Sequence, residues 1–171
     1  METILDIIQK RRSIREYQDK AVSRELLEKL LQAGMAAPSA RNSKPWEFVV
    51  VTEKATLDKL RANLKNGNYN APAAIVVLGN LKIATAESST RFWVQDCTAA
   101  VENMLIAAAG LGLGTVWIGS YPKEDVMQAE RDILGISQDV YPLALFYVGY
   151  PAEEVPPRTQ YEAGRVHWEK Y

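Results

Sequence analysis

Apolar residues along the chain follow two rhythms, and the rhythm changes where turn residues cluster. Residues 2–11 place Ile4, Leu5, Ile7 and Ile8 on one helical stripe. Ser23 stands where an N-cap belongs, and "RELLEKLLQAGMAA" continues with helical periodicity until Pro38 stops it. "PSARNSKP" is turn material, and "WEFVVV" then reads as a strand. Thr52 can cap a third helix, "EKATLDKLRANLK", which gives out at "NGNYN". "PAAIVVLG" is apolar throughout and predicts a central strand. A long helix over 89–111, a strand "GTVWIG", a helix "KEDVMQAERDIL" and a strand "YPLALFYVGYP" complete the pattern. The polar remainder, 151–171, predicts a surface arm.

Strands alternating with helices predict an α/β sandwich, with helices on both faces of one sheet. No repeat or long linker divides the chain, so residues 1–171 read as one domain. The helix at 89–111 carries Phe92, Trp93, Val94, Cys97, Ala100, Val101, Met104, Leu105 and Ala108, apolar on more than one face. That excess predicts packing against a second copy of the chain. Gln95, Asp96, Glu102 and Asn103 interrupt the same stretch, which suits a buried helix and not a membrane span.

Composition then removes whole classes of function. With 47% hydrophobic and 24% charged residues the chain is of ordinary globular make-up. A net charge of −1 argues against a nucleic-acid partner. Cys97 and His167 stand alone in their types, so neither a disulfide framework nor a zinc cluster is available. Acids lie among the first apolar residues, where a signal peptide would have an apolar core. These features predict a soluble, cytoplasmic protein.

The chemistry-bearing stretches each admit two readings. "GLGLGT", Gly110 to Thr115, follows a helix and precedes a strand, the reverse of a dinucleotide fingerprint, and predicts a helix C-cap with a tight turn. His167 reads as a surface histidine and Cys97 as a small buried hydrophobe, so a cofactor would have to supply any reactivity. "KRRSIREY" gathers Lys10, Arg11, Arg12 and Arg15 into six positions. Lys10, Arg11 and Arg12 end the first predicted helix, where cations interact favourably with its carbonyls, which leaves Ser13 and Arg15 unexplained. In an extended continuation Arg11, Ser13 and Arg15 would share one side, a cradle for phosphate or another electron-rich group. "PSARNSKPW" is either a plain turn or a loop whose Ser39, Asn42 and Ser43 hydrogen-bond a flat polar ligand.

Taken in order, "RRSIREY", "APSARNSKPWEFVVV", "YNAPAAIVV", "GLGLGTVWIG" and "PPRTQYE" resemble the nitroreductase family of FMN-dependent NAD(P)H oxidoreductases. The resemblance implies an α+β sandwich, a central mostly antiparallel sheet flanked by helices, in a domain-swapped-type homodimer with two FMN sites at the interface. It assigns Arg11, Arg12 and Ser13 to the basic-serine motif that binds FMN, chiefly at its phosphate. Arg15 falls where the family places a cation beside the pyrimidine edge of the flavin. Pro38, Ser39, Ala40 and Asn42 match the loop that reaches the flavin from the other subunit. Trp117, Ile118, Gly119 and Ser120 match the strand end lying along the ring, and Arg158 a late cation at the phosphate. An asparagine before the second strand often contacts flavin, and Asn63, Asn66 and Asn68 compete for that place.

Three departures stand out. Lys44 replaces the usual glutamine before Pro-Trp, Ser120 replaces a second glycine, and the segment from Asn80 to Ser89 is short. The implied activity is hydride transfer from NAD(P)H through flavin N5 to a nitroaromatic, quinone or flavin by ping-pong turnover, with no metal. The same resemblance leaves open a flavin-dependent dehalogenase or desaturase, and an FMN-binding protein without turnover.

Overall fold

The computed structural model describes residues 2–64, 67–84 and 89–171. Helix α1 (Ile4–Lys10) is followed by an extended segment and α2 (Arg24–Met35). Strand β1 (Trp46–Val51), α3 (Lys54–Ala62), β2 (Ala73–Asn80), α4 (Ser89–Gly110), β3 (Gly114–Gly119), α5 (Glu124–Leu134) and β4 (Val140–Gly149) complete the order. The four strands form one sheet in the order β1-β2-β4-β3, every pair antiparallel.

The sheet is sealed on both faces, and β2 explains how. Its alternating side chains point opposite ways. Ala73, Ile75 and Val77 join one core with α2 and α4. Ala74, Val76 and Leu78 join a second core with α3. A strand buried on both sides must be apolar throughout, and β2 and β4 are the two central strands. β1 and β3 are the edges. Near the start of β4 the register slips between Val77 and Leu78, and Pro142, which has no N–H to give the ladder, stands opposite Leu78.

Ser23 caps α2 as the sequence predicts, accepting from the Leu26 N–H at 3.3 Å. Thr52 does not cap α3. The N-cap residue is Glu53, one position later, without a side-chain capping bond. The helix predicted over 2–11 spans Ile4–Lys10, closed by a reciprocal Thr3–Asp6 capping box. Its apolar stripe does not reach the core, because α1 lies outside α4: Ile4 is 62% and Leu5 65% exposed.

The long helix corrects a second expectation. Trp93, Cys97, Ala100, Val101, Met104, Leu105 and Ala108 are all buried within the single chain. The helix lies over the sheet while α2 packs along it, with Gly34 close against Met104. Phe92 remains exposed and Val94 half-buried. The most exposed apolar side chains lie instead on α1 and on the arm, where Trp168 is 80% exposed.

Candidate functional site

The segment after α1 runs along the outer edge of β3. Ser13 bridges Thr115 in parallel, and the Ile14 N–H donates to the Thr115 carbonyl at 2.9 Å. This close approach needs Gly114: a Cβ there would stand 2.8 Å from Ile14. With Ile14 buried against the strand, Ser13 and Arg15 face outward together. The helix-end reading describes only the first part of the cationic cluster. Lys10 ends α1 and Arg11 is its C-cap, whereas Ser13 and Arg15 lie beyond the helix.

The cations converge with the chain's last segment. Arg12 donates to the Pro156 carbonyl, and the Arg158 N–H donates to the Gln9 carbonyl at 3.1 Å. Arg11 Nε lies 3.6 Å from Glu102 on α4, and Arg15 Nη1 reaches the Ser13 carbonyl at 3.4 Å. A cleft of about 750 Å³ opens here, lined by Arg11, Arg12, Gln18, Thr115, Glu153 and Pro156 among others. It takes in the two arginines but neither Arg15 nor the far end of β3.

That far end offers backbone. Since the Thr115 carbonyl points away from β4, alternation turns the N–H and C=O of Trp117 and Gly119 to the same open edge. The Gly119 carbonyl accepts from Lys123 Nζ at 3.2 Å, while the Ser120 N–H turns inward to Leu143 at 3.1 Å. A Cβ on Gly119 would meet nothing within 4 Å, so flat matter can approach the backbone there. Ile118 packs beside Gly67, whose neighbour Asn68 is exposed. Ser120 itself is fully buried, its Oγ donating to Glu130 Oε1 at 2.8 Å.

Pro38, Ser39, Ala40 and Asn42 are elsewhere. Their loop leads into β1, the opposite edge strand, three strand spacings or about 14 Å across the sheet. The loop is built firmly: the Ala40 N–H donates to Asp96 Oδ1 at 2.8 Å and the Lys44 N–H to Ser39 Oγ at 3.0 Å. Arg41, Asn42 and Lys44 adopt left-handed φ values of 53°, 57° and 49°. One chain thus places Arg11 and Arg12 in the cleft and Ser13 and Arg15 outside it beside β3, ties the Arg158 backbone to α1, and leaves the 38–42 loop apart.

The remaining candidates sort themselves. Asn63 donates to the Lys59 carbonyl and caps α3; Asn66 lies outside the described residues; Asn70, not singled out from the sequence, clasps the Tyr17 backbone through both its amide atoms. The segment from Asn80 to Ser89 lies partly outside the described residues. "GLGLGT" ends α4 with the predicted cap, as Leu113 N–H bonds Ala108 and Gly112 N–H bonds Ala109, with Gly112 at φ +74°. Cys97 is buried, which raises its thiol to about 12. Among the described residues there is no His/Cys/Asp/Glu group that could hold a metal ion, and no helix long and apolar enough to cross a membrane. The sequence reading missed two buried acids, Asp96 and Glu130. Each is a charge on an otherwise apolar helix face, and that was the available signal.

Guanidinium groups and a hydroxyl suit a phosphate, and open-edge N–H donors suit the carbonyls of a flat heterocycle. That donor set is of the kind that fits flavin mononucleotide. The sequence signature of the nitroreductase family matches residues 8–69 and 61–150. A provisionally named NADH dehydrogenase/NAD(P)H nitroreductase of Archaeoglobus fulgidus is 43% identical, covering 100% of both chains. An FMN-dependent nitroreductase from Clostridium difficile is similar in structure, with a TM-score of 0.88 and 28% identity over 98% of this chain and 99% of the other. A nitroreductase structure from Desulfovibrio desulfuricans, in complex with FMN, gives a TM-score of 0.82 and 30% identity over 100% and 99%. The chain belongs to the nitroreductase family, and it is an oxidoreductase.

Proposed function

We propose that two copies of this chain bind FMN between them and use it to oxidise NAD(P)H. The observation that carries this reading is the separation just described. Both flavin-type motifs are present, yet they stand on opposite sheet edges, so a closed site needs the 38–42 loop of a second copy. The exposed apolar face of α1 and the aromatic residues of the arm give that copy a surface to cover.

Arg11, Arg12, Ser13 and Arg158 hold the phosphate. Charge-assisted bonds are the strong ones, so this end contributes most of the affinity. Arg15 stands beside the pyrimidine edge and offers positive charge where electron density accumulates. The open-edge N–H groups of Trp117 and Gly119 orient the ring. Of the asparagines, Asn68 is the one whose place beside Ile118 suits the flavin. Bound FMN would supply two-electron chemistry, accepting hydride from NAD(P)H and delivering it to a nitroaromatic, quinone or flavin in ping-pong order. The chain's task is then to bind, orient and exclude water.

The test is the visible spectrum of the purified protein, with and without added FMN, before and after anaerobic NADPH or NADH, together with its mass in solution. A yellow dimer that bleaches with a nicotinamide donor is expected. Protein that is colourless above the ultraviolet and takes up no FMN overturns the reading, and a yellow dimer that never bleaches reduces it to an FMN-binding protein.

A further inference from the structure

Beneath the end of β3 lies a buried acid that the flavin reading leaves without a task. Glu130 is 2% exposed, and its Oε1 accepts from Ser120 Oγ at 2.8 Å. Its other oxygen, Oε2, is buried with no hydrogen-bond partner among the described residues. A carboxyl group in that position costs more than an apolar side chain of similar size would, because water is lost and only one hydroxyl replaces it. Stability alone gives no reason for it.

Its location does. Ser120 directly follows Gly119, whose backbone faces the open edge. The Ser120 N–H is committed to Leu143 and its hydroxyl to Glu130, so both of these donors fix the strand end from within, while its carbonyl accepts from the Lys123 N–H. Other charged or titratable groups surround the acid. Arg131, next to it on α5, donates from Nε and Nη2 to the Val140 carbonyl at 3.3 and 3.2 Å. Tyr147 faces it from β4, with the Arg61 guanidinium of α3 6.0 Å from the centre of the Tyr147 ring. Tyr69 meets Tyr147 edge-on at 6.0 Å, and Lys123 holds the Gly119 carbonyl from the following turn.

We propose that Glu130 is a positioning residue for the flavin, acting through Ser120 to hold the β3 end against the ring and making that hold depend on whether Glu130 carries a proton. This rests on the FMN reading above. Two effects follow from charge on Glu130. The carboxylate fixes the direction of the Ser120 hydroxyl, whereas the neutral acid can itself donate and leaves the serine free to turn. The negative charge also lies behind a strand end whose outer side would meet the part of the ring that becomes electron-rich on reduction. Burial raises Glu130 to about 7, Ser120 and Arg131 opposing, so the change falls within the physiological range.

The experiment uses the full-length protein and its Glu130→Gln and Ser120→Ala variants. FMN affinity is read by fluorescence titration from pH 5.5 to 8.5, and the midpoint potential of the bound FMN is read over the same range. In wild type both quantities should show a component between pH 6 and 8 that Glu130→Gln lacks. At pH 8 Glu130→Gln should raise the ratio of reduced to oxidised FMN affinity by about threefold to tenfold, as expected for removing one partly screened charge. Ser120→Ala should weaken FMN at every pH and shrink the same component. Should Glu130→Gln fail to fold, Ser120→Ala alone decides. Affinities and potentials that track wild type at every pH overturn the proposal while leaving the FMN reading intact. A wild type that binds no FMN fails that reading, and this one with it.

Discussion

Glu130→Gln also makes a prediction about folding that needs no cofactor. The side chain is buried on α5, and its carboxyl is raised from 4.5 to about 7, chiefly by burial. In the unfolded chain Glu130 loses its proton near pH 4.5; in the fold it keeps the proton until near pH 7. Between those values the native state binds more protons than the unfolded state, so stability from this group is fully present below pH 4.5 and is lost as pH rises through 7. At about 1.4 kcal/mol per pH unit, the interval amounts to about 3 kcal/mol. Glutamine has nearly the same shape and is neutral throughout, so it does not lose that stability. Apo Glu130→Gln should therefore exceed wild type by about 3 kcal/mol at pH 8, equivalent to about 6–12 °C in Tm for a chain of this size. At pH 5 the gap should close to below about 1 kcal/mol. Urea unfolding at pH 5, 6, 7 and 8, at one protein concentration, measures this directly, with an unchanged slope showing that the same surface is exposed. A difference that is flat with pH, or a variant less stable than wild type at pH 8, would refute the reasoning.

Three further outcomes separate the parts of the site. Arg15→Ala should lower the flavin potential and slow its reduction while leaving phosphate affinity largely intact, because the guanidinium acts at the ring and not at the phosphate; an unchanged potential in spectroelectrochemical titration would remove that role. Arg11→Ala should weaken FMN by about ten- to a hundredfold, since a charge-assisted bond contributes on the order of 1.5–3 kcal/mol; retention of FMN through gel filtration equal to wild type would leave Arg11 as a helix cap alone. Gly114→Ala should destabilise the protein by about 1–3 kcal/mol, because the new methyl displaces Ile14. The same displacement carries Ser13 and Arg15 off the edge, so FMN titration should show weakened binding as well; full affinity in a destabilised variant would break that link.

Much of this molecule was legible because its signals are local. An unbroken run such as "AAIVV" can only be a strand covered on both sides, and β2 is one. Gly110 to Leu113 read correctly because the order of helix, glycine and strand fixes a cap. Thr52 misled because its type suits an N-cap, whereas the chain starts α3 one residue later, at Glu53, without a side-chain bond. The apolar excess on α4 misled for a different reason. Apolarity on several faces says that a helix is covered, not by what, and here α2 and the sheet are enough. Asp96 and Glu130 lay beyond pattern reading. Their partners, Ala40 and Ser120, are brought to them by the fold, and a charge within an apolar stripe does not say which group awaits it.

The cationic segment and the open-edge donors lie along β3, the short-side-chain loop leads into β1, and two central strands hold them apart. No rearrangement of side chains spans the roughly 14 Å set by three strand spacings. In the proposed dimer, a two-fold axis that sets one copy's loop against the other's β3 edge does so twice, which would make two like sites per dimer. On this reading FMN touches both copies, and ligand binding must then strengthen association by the amount that association strengthens binding. In the proposed dimer the buried acids would act from each side: Asp96 holds the 38–42 loop that one copy would present, and Glu130 holds the strand end on which the other would receive it.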